Sequence, residues 1–332
     1  MKLSRKNIIQ AHLLNNQSGI ALLIVLWIMV LLITMVFSFS VMARTEIFST
    51  LNFKRQIENK YLAEAGLQCG IMELFYRAAN KNKQVTFVEE EILRTDGTAY
   101  TGKLENGSYQ YRITDESGKI DINALTDSSG IILNNLLVNL GIDKETADTI
   151  VDSILDWKSP TDLHRLHGSD SSYYLSLSDP YKAKNANFDS LEELLLVKGV
   201  TSDILYGNEE RPGVISFLTI QSKSGRININ AAAPEVLKAI PFISDDAVQQ
   251  IMNLRSANNT KTAADIQTIM ADGDYSKMSP YITTADSNIF SIEVSGYKEN
   301  EKNGYPLKAI VSIEDNGLYS VLSYQSPASI KR

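Results

Sequence analysis

Residues 18–43, SGIALLIVLWIMVLLITMVFSFSVMA, form a continuous apolar segment without a charged side chain, and the rest of the chain is organised around it. As an α-helix rising about 1.5 Å per residue, residues 20–43 would be about 36 Å long, enough to cross a hydrocarbon core of about 30 Å. Three basic residues and no acid precede the segment: Lys2, Arg5 and Lys6. Because positive charge favours the cytoplasmic side, we expect a cytoplasmic N-terminus, with everything after Arg44 across the membrane.

The order of the first residues distinguishes this segment from an ordinary export signal. A secretory signal peptide has an apolar run of about 7–15 residues and then a small-residue cleavage site. Here the polar leader ends in Gly19, and the apolar run begins at once with Ile20. A glycine before the apolar helix resembles the cleavage site of type IV prepilins, which prepilin peptidase cuts on the cytoplasmic face. By that resemblance Gly19 is the last leader residue and Ile20 the first mature one; an uncleaved signal anchor is the alternative.

The composition argues against several classes of function. The chain has 332 residues and a formal net charge of −7, and loss of the leader, with three basic residues and no acid, would make it −10. An acidic chain is a poor partner for nucleic acid. Cys69 is the only cysteine, so no intrachain disulfide can form. The sequence has no nucleophile, phosphate-loop or HExxH motif. We therefore predict a protein that is not an enzyme and has no catalytic residue.

The helical pattern continues beyond the membrane segment and is followed by strands. Residues 44–80 contain no proline and keep an amphipathic period, so one helix from residue 20 to about residue 79 is expected. Five later stretches have a strand-like composition, at 84–88, 108–113, 288–297, 307–314 and 319–325. A long helix followed by an antiparallel sheet is typical of pilins. We predict an α+β fold in which a long N-terminal transmembrane helix packs on an antiparallel pilin-type sheet.

An internal repeat marks a large insertion within that sheet. The octapeptide SGKIDINA at 117–124 returns as SGRININA at 224–231, and small helical segments follow each copy. A repeated unit at this spacing predicts two related helical lobes. The predicted organisation is a leader at 1–19, a transmembrane helix at 20–43 that continues through 44–80, a pilin-like sheet domain at 81–120 and 285–332, and an all-α insertion at 121–284.

The second lobe also resembles a helix-hairpin-helix or SAM-like module, a class that often binds DNA backbones. Such modules approach phosphate through a Gly-Ile-Gly turn, because only glycine lets the backbone N–H groups come close enough. Here the turn reads Phe242-Ile243-Ser244 and is followed by Asp245 and Asp246, which would repel phosphate. We therefore predict that the lobes are packing modules and that no nucleic acid is bound. A membrane-anchored DNA-binding protein of an uptake system is the alternative.

The stretch between the two lobes is rich in aspartate: Asp152, Asp156, Asp162, Asp170, Asp179 and Asp189. Hard oxygen ligands on an irregular loop suit Ca²⁺, which takes about 6–8 oxygens. The sequence has no EF-hand spacing. The alternative is a solvated polar loop whose acids cap helices, with Asp189 as the candidate cap of the residues that follow it.

Taken in order, these motifs resemble the minor pseudopilin K family of type II secretion, also called general secretion pathway protein K. The resemblance rests on GIALLIVLW, on AEAG in the long helix, on GKIDINAL and GRININ in the lobes, and on the DW…YY…PYKAKNANFDSLEELLLVKGV block between them. It implies a single-pass inner-membrane protein with a periplasmic soluble part, placed at the pseudopilus tip. The implied partners are the minor pseudopilins I and J, the major pseudopilin, prepilin peptidase and the inner membrane. An uncleaved single-span scaffold is a further alternative.

The resemblance gives one expectation for the membrane helix. Most pilin-like proteins carry Glu at the fifth mature residue, where it pairs with the N-terminal amine of a neighbour, whereas this chain has Ile24. An unpaired carboxylate in lipid is costly. A subunit with nothing above it does better without one, so we predict that this chain begins or caps the fibre.

The resemblance also bears on the aspartate-rich loop, because some family members bind calcium there. Two family-typical acids are replaced in this chain by Ser159 and Ser171. Asp156 and Asp170 remain, and Asp162 lies close by. These three aspartates are the candidate ligands if Ca²⁺ is a cofactor, and no other cofactor is predicted.

Overall fold

A computed structural model describes residues 17–80, 94–161, 163–257, 262–270, 274–299, 303–314 and 317–328. The predicted strand at 84–88, the leader up to residue 16 and Asp162 therefore lie outside the described residues. The chain forms two compact units, one ending at Glu58 and the other beginning at Asn59. The first helix, α1 (Gln17–Ala79), contributes residues to both units.

The first unit is the N-terminal part of α1, and its apolar side chains are exposed on all sides. Every large apolar side chain from Ile20 to Met42 is at least 50% exposed. A helix that is apolar on every face suits lipid better than a protein core. Within the described residues, α1 is the one helix long and apolar enough to cross a membrane.

The second unit combines strands with short helices. In chain order its strands are β1 (Asp96–Leu104), β2 (Gly107–Asp115), β3 (Ile120–Asp121), β4 (Leu218–Thr219), β5 (Ile227–Asn228), β6 (Ile282–Thr283), β7 (Ile289–Lys298), β8 (Tyr305–Ile313) and β9 (Tyr319–Gln325). Its helices after α1 are α2 (Gly130–Asn139), α3 (Lys144–Trp157), α4 (Ser171–Leu175), α5 (Ser202–Tyr206), α6 (Pro234–Ala239), α7 (Asp245–Ala257), α8 (Ala263–Ile269) and α9 (Asp274–Met278). Short 3₁₀ turns are formed by Glu116–Gly118, Glu192–Leu196, Val214–Phe217 and Ser279–Tyr281.

The main sheet is antiparallel, with the strand order β1-β2-β7-β8-β9. The chain leaves this sheet after β2 and returns at β7, which pairs directly with β2. Everything between them is therefore an insertion into one sheet. The strands predicted at 108–113, 288–297, 307–314 and 319–325 are confirmed as β2, β7, β8 and β9.

Strand β1 was not predicted, because it contains Gly97 and Gly102 and glycine is typical of turns. Gly102 lies within the strand beneath the ring of Tyr109, where a Cβ would come within 2.2 Å of the ring carbon Cζ. Gly97 has a φ of +86° at the point where the β1–β2 register shifts. Glycine here marks a close approach and a bulge inside a strand rather than the end of one.

The C-terminal part of α1 covers one face of this sheet. Leu67, Ile71 and Leu74 of the helix are buried against apolar side chains of β2, β7 and β8. Two glycines bring the layers together, since a Cβ at Gly66 would lie 2.7 Å from Val294 Cγ1, and one at Gly296 would lie 2.2 Å from a backbone oxygen of α1. The AEAG motif is therefore a close-packing site between helix and sheet.

The insertion is mainly helical, but it is not all-α as predicted. Strand β3 pairs in parallel with β4, and β5 pairs in parallel with β6. Both pairs begin in the repeated octapeptide, whose alternate isoleucines point inward: Ile120, Ile122, Ile227 and Ile229 are each no more than 2% exposed. The intervening Asp121 and Asn228 are buried as well, so each copy passes through the core as a short extended segment.

The internal repeat is confirmed by equivalent hydrogen bonds in its two copies. The backbone N–H of Ile122 donates to Thr219 O at 2.9 Å, and that of Ile229 donates to Thr283 O at 3.1 Å. The side-chain amides also correspond, because Asn123 donates to Ile220 O and Asn230 donates to Thr284 O. Each copy is thus a strand, a tight turn and a following helix, and the helices of both lobes share one apolar core.

Candidate functional site

The predicted cleavage residues lie in the first turns of α1. The helix begins at Gln17, so Gly19 and Ile20 are already helical, and Ile24 lies one turn further on and is 54% exposed. A Cβ added at Gly19 would meet no atom of the described residues within 4 Å. Glycine is a poor helix former, so neither helix propensity nor packing against the described residues accounts for it. A recognition requirement at Gly19 remains the prediction.

Asp156, the first candidate calcium ligand, is buried and engaged by the protein itself. Its Oδ1 accepts a hydrogen bond from Arg165 Nη1 at 2.6 Å. Its Oδ2 accepts from the backbone N–H groups of Arg165 at 3.0 Å and Ser169 at 3.1 Å. Arg165 Nε also donates to Asp127 Oδ1 at 2.6 Å, and its hydrogen bonds to the two carboxylates raise the pKa of the guanidinium. A positive charge therefore lies where a cation would have to bind.

Asp170, the second candidate, is a helix cap. Its Oδ1 accepts hydrogen bonds from the backbone N–H of Ser172 at 3.0 Å and from Ser172 Oγ at 2.5 Å. These bonds cap the N-terminus of α4. Its Oδ2 lies 3.5 Å from His164 Nδ1. The hydrogen bonds from Ser172 lower the pKa of Asp170. Asp170 thus has the capping role of the alternative interpretation.

Asp156 and Asp170 do not fit a calcium site together. In the part of the chain that the structure describes, no group of three His, Cys, Asp or Glu side chains is placed to hold a metal ion. Asp162, the third candidate, lies outside that part. Calcium binding at these residues therefore stays a prediction without support from the geometry.

The prediction that Asp189 caps the next helical turn is wrong. The 3₁₀ turn Glu192–Leu196 follows Leu191 and has no side-chain cap. Asp189 Oδ2 instead accepts a hydrogen bond from Lys184 Nζ at 2.8 Å. The side chain that makes a capping-type hydrogen bond here is that of Glu193, whose Oε2 accepts from the backbone N–H of Asp189 at 3.0 Å.

The motif residues of this loop form an aromatic cluster around Trp157. The Trp157 ring meets Tyr174 edge-on at 5.1 Å and stacks on Phe188 at 6.4 Å. Its indole Nε1 donates to Glu193 Oε1 at 2.9 Å. Burial raises the pKa of Tyr174 to about 12, so this phenol stays neutral. Trp157, Tyr174 and Phe188 of the motif are therefore packing positions, a role that was not predicted from the sequence.

A buried carboxylate joins the sheet to the insertion. Asp115, the last residue of β2, accepts hydrogen bonds of 2.5–3.1 Å from Ser117, Asn228 and Ser287. These donors belong to the first repeat copy, the second copy and the segment that leads into β7. Burial raises the pKa of Asp115, although the hydrogen bonds act in the opposite direction. The Asp115 side chain thus links the two points at which the chain passes between the sheet and the insertion.

Three helical hairpins in the described insertion share one turn geometry. Their turns are Gly141-Ile142-Asp143 before α3, Gly199-Val200-Thr201 before α5, and Phe242-Ile243-Ser244 before α7. The first residue of each has a positive φ, of 86°, 85° and 66° respectively. The third residue of each accepts a hydrogen bond from the backbone N–H three residues later. The second hairpin was missed, although a Thr or Ser before a short apolar helix indicates an N-cap.

These turns do not resemble phosphate sites. A phosphate-binding helix leaves its first N–H groups unpaired for the ligand. Here Asp143, Thr201 and Ser244 each accept one of those N–H groups themselves. Two acids, Asp245 and Asp246, also occupy the first turn of α7. The hairpins therefore favour the packing interpretation over DNA binding.

The antiparallel sheet, the helical insertion between β2 and β7, and an N-terminal helix long and apolar enough to cross a membrane together define a pilin-type fold. Residues 118–207 match the family model of Type II secretion system (T2SS), protein K. The putative type II secretion system protein K of Escherichia coli (strain K12) is 25% identical over 197 residues. The type II secretion system protein K of Pectobacterium carotovorum subsp. carotovorum is 23% identical over 199 residues. Each alignment covers 57% of this chain and 60% of the relative.

The fold is shared with a chain in the crystal structure of the GspK-GspI-GspJ complex from the enterotoxigenic Escherichia coli Type 2 Secretion System. The TM-score is 0.60 at 18% sequence identity, and the match covers 86% of this chain and 100% of that chain. At this identity, the likeness establishes the fold. The chain is thus similar in sequence to type II secretion system K proteins over part of its length, and it shares the fold of a chain in the GspK-GspI-GspJ complex.

Proposed function

We propose that this chain is the minor pseudopilin that begins or caps the tip of a type II secretion pseudopilus, the fibre that drives export of folded proteins across the outer membrane. The observation that carries the proposal is Ile24, an exposed apolar side chain one turn into a helix that has no charged residue between 20 and 43. This surface has no carboxylate that could pair with the N-terminal amine of a subunit placed above this chain. A structural, non-enzymatic role agrees with this chemistry.

The proposed partners are the minor pseudopilins I and J, together with the major pseudopilin. The support is that a protein of the same fold was crystallised in a complex with GspI and GspJ. The apolar helix is the part suited to packing among neighbouring subunits, since its large apolar side chains from Ile20 to Met42 are all at least half exposed in the described part of its unit. The soluble unit would then lie in the periplasm and the short N-terminus in the cytoplasm.

Maturation by prepilin peptidase is part of the same proposal. Among the described residues, no atom lies within 4 Å of a Cβ at Gly19, and a requirement set by the peptidase would account for glycine at this position. Cleavage between Gly19 and Ile20 would give a mature chain that starts with the apolar helix. N-terminal sequencing of the chain purified from membranes that contain the peptidase should therefore begin at Ile20.

The variant Ile24→Glu tests the tip position. A carboxylate here would provide the amine partner that the chain lacks, and otherwise it would cost about 2.5–3.5 kcal/mol in the membrane. We expect less co-purification of the I and J subunits and reduced export of a type II-dependent protein. Ile24→Val is the control and should behave as the wild type. Unchanged export and partner recovery in Ile24→Glu would contradict the tip assignment.

A further inference from the structure

Three backbone carbonyl groups of the first repeat copy converge on one side-chain cation. Lys158 is half-buried and directly follows α3. Its Nζ donates to Ile122 O and to Asn123 O at 3.0 Å each, and also to Leu125 O. An ammonium group has three donors and no acceptor, so each carbonyl oxygen takes one donor. Residues 122–125, here called the carbonyl turn, are thus arranged around a positive charge, and these three oxygens accept no other hydrogen bond among the described residues.

Contacts on the other side of the carbonyl turn hold it in shape. Asp121 Oδ1 accepts from the backbone N–H groups of Asn123 at 2.8 Å and Ala124 at 3.2 Å. The Asn123 side chain accepts from the N–H of Phe188 at 2.8 Å and donates to its carbonyl oxygen at 3.0 Å. Asp121 Oδ2 accepts from the backbone N–H of Lys223 at 2.7 Å. The position of the carbonyl oxygens is therefore also fixed by contacts that do not involve the cation.

The second repeat copy directs a cation to the equivalent carbonyl group. Ala232 follows the second octapeptide as Leu125 follows the first, and its oxygen accepts from Arg255 Nη1 at 2.7 Å. Arg255 lies within α7, whereas Lys158 comes after the end of α3. The two cations are thus different side chains that arrive from different points of their helices. The feature that both copies share is a carbonyl group that faces a positive charge.

We propose that the carbonyl turn is a site for a monovalent cation, which the protein fills with the ammonium group of Lys158 and which takes K⁺ or NH₄⁺ when that group is absent. Neutral carbonyl oxygens bind K⁺ in channels, where they replace its hydration shell. The two 3.0 Å distances are too long for Mg²⁺, at about 2.0–2.1 Å, and for Ca²⁺, at about 2.3–2.6 Å. The inference concerns the insertion alone and does not rest on the proposed function.

The native occupant of the site is charged at neutral pH. Burial lowers the pKa of Lys158 to about 8, an effect that Asp121 and Asp127 oppose and that Arg165 assists. Most of the side chain is therefore an ammonium ion at pH 7. Without it, three carbonyl oxygens would face one another with no donor between them, which destabilises the fold unless another cation enters.

The variant Lys158→Ala tests the site by cation rescue. The full chain is purified in detergent, and its thermal unfolding at pH 7 is followed by tryptophan fluorescence, because Trp157 adjoins the site in sequence. In choline chloride we expect the Tm of the variant to lie roughly 4–8 °C below that of the wild type. K⁺ or NH₄⁺ at the same ionic strength should restore at least about half of the difference. The wild-type Tm should be the same in all three salts.

Two further variants serve as controls. Lys158→Met fills the same space with an unbranched, uncharged side chain. It should lose stability as Lys158→Ala does, and K⁺ should not restore it. Lys184→Ala removes a lysine that donates to the carboxylates of Asp189 and Glu193 rather than to carbonyl groups. A K⁺ effect in either control equal to that in Lys158→Ala would show a general salt effect and overturn the assignment.

The remaining outcomes are also decisive. A Tm of Lys158→Ala that is the same in choline, K⁺ and NH₄⁺ overturns the cation site. A Tm equal to that of the wild type in choline chloride overturns Lys158 as its occupant. Rescue by Ca²⁺ or Mg²⁺ without rescue by K⁺ overturns the class of cation. If Lys158→Ala does not fold in choline chloride, recovery of folded protein in K⁺ supports the site, and no recovery in either salt overturns it.

Discussion

At the scale of single residues, Arg165 organises the loop that was predicted to hold a cation. Its guanidinium lies between the buried Asp156 and the exposed Asp127, at 2.6 Å from an oxygen of each. The Asp156 side chain is 2% exposed and that of Asp127 is 77% exposed. A buried carboxylate needs a compensating charge and hydrogen bonds. Arg165 supplies both the charge and a hydrogen bond to Asp156. We therefore expect its bond to the buried Asp156 to contribute far more to stability than its bond to the exposed Asp127.

The variant Arg165→Ala should destabilise the soluble unit by about 1–3 kcal/mol, because it leaves the buried Asp156 carboxylate without its ion pair. Asp127→Asn breaks only the exposed half of the same bridge and should cost less than about 1 kcal/mol. Urea unfolding of both variants provides the comparison. Equal destabilisation by the two changes would contradict the assigned difference between the two contacts.

Metal removal gives an independent check on the same loop. Because Arg165 occupies the charge position beside Asp156 and Asp170 caps α4, the fold of the loop should not depend on calcium. Treatment with a chelator followed by Ca²⁺ should leave the thermal unfolding midpoint unchanged. A rise of several degrees on adding Ca²⁺ would show that a metal binds, and it would restore the original prediction for Asp156, Asp162 and Asp170.

At the scale of elements, contact between α1 and the sheet depends on small residues. Gly66 lies against Tyr109 and Val294, and Gly70 lies against Ile292. These glycines lower the intrinsic helix propensity of α1. In return they let the helix approach the strands closely enough to bury Leu67, Ile71 and Leu74. The glycines thus reduce the helix propensity of α1 but allow it to pack closely on the sheet.

The variant Gly66→Ala should cost about 1–3 kcal/mol of stability, since its Cβ would lie 2.7 Å from Val294 Cγ1 and 2.8 Å from Tyr109 Cδ2. An isolated helix would respond in the opposite direction, because alanine is the better helix former. Gln68→Ala on the exposed side of the same helix is the control and should change stability by less than about 0.5 kcal/mol. Thermal unfolding of the two variants decides whether packing or propensity dominates.

At the scale of the whole molecule, buried carboxylates link the sheet to the insertion and couple folding to pH. Burial raises the pKa of Glu116, but its ion pair of 2.5 Å with Lys119 and its hydrogen bonds outweigh this and lower the pKa below 4.5. A carboxylate with a lowered pKa stabilises the fold above its unfolded pKa, and this stability is lost as pH falls through the folded value. The raised pKa of Asp115 acts with the opposite sign.

The variant Glu116→Gln should therefore lower the free energy of unfolding at neutral pH by about 1–3 kcal/mol and weaken its dependence on pH below about 4.5. Glu105→Gln, which removes an exposed carboxylate from the β1–β2 turn, is the matched control and should leave the profile unchanged. Urea unfolding between pH 3 and pH 7 measures both. A wild-type slope retained in Glu116→Gln would mean that other carboxylates dominate acid unfolding.

The sequence predicted the structure correctly wherever the conformation of a segment depends on its own residues. Residues 20–43 are apolar on every side, so their preference for lipid does not depend on the rest of the chain. Alternation in β7 and β8 predicted strands because one face of each is buried. The repeat at 117–124 and 224–231 predicted two related units, since corresponding side chains make the same local hydrogen bonds: Asp121 Oδ1 accepts from the N–H of Asn123, and Asn228 Oδ1 accepts from that of Asn230.

By itself, the sequence determined the long apolar helix, the strands that return after the insertion, the repeated lobes and the resemblance to type II secretion K proteins. Only the tertiary structure decided that Asp156 pairs with Arg165, that the Trp157 motif is a packed cluster, and that Phe242 is exposed at a positive φ. The reason is that an apolar period or a turn is set by neighbours along the chain. The role of a carboxylate, a ring or a glycine depends on which atoms the fold brings within a few ångströms of it.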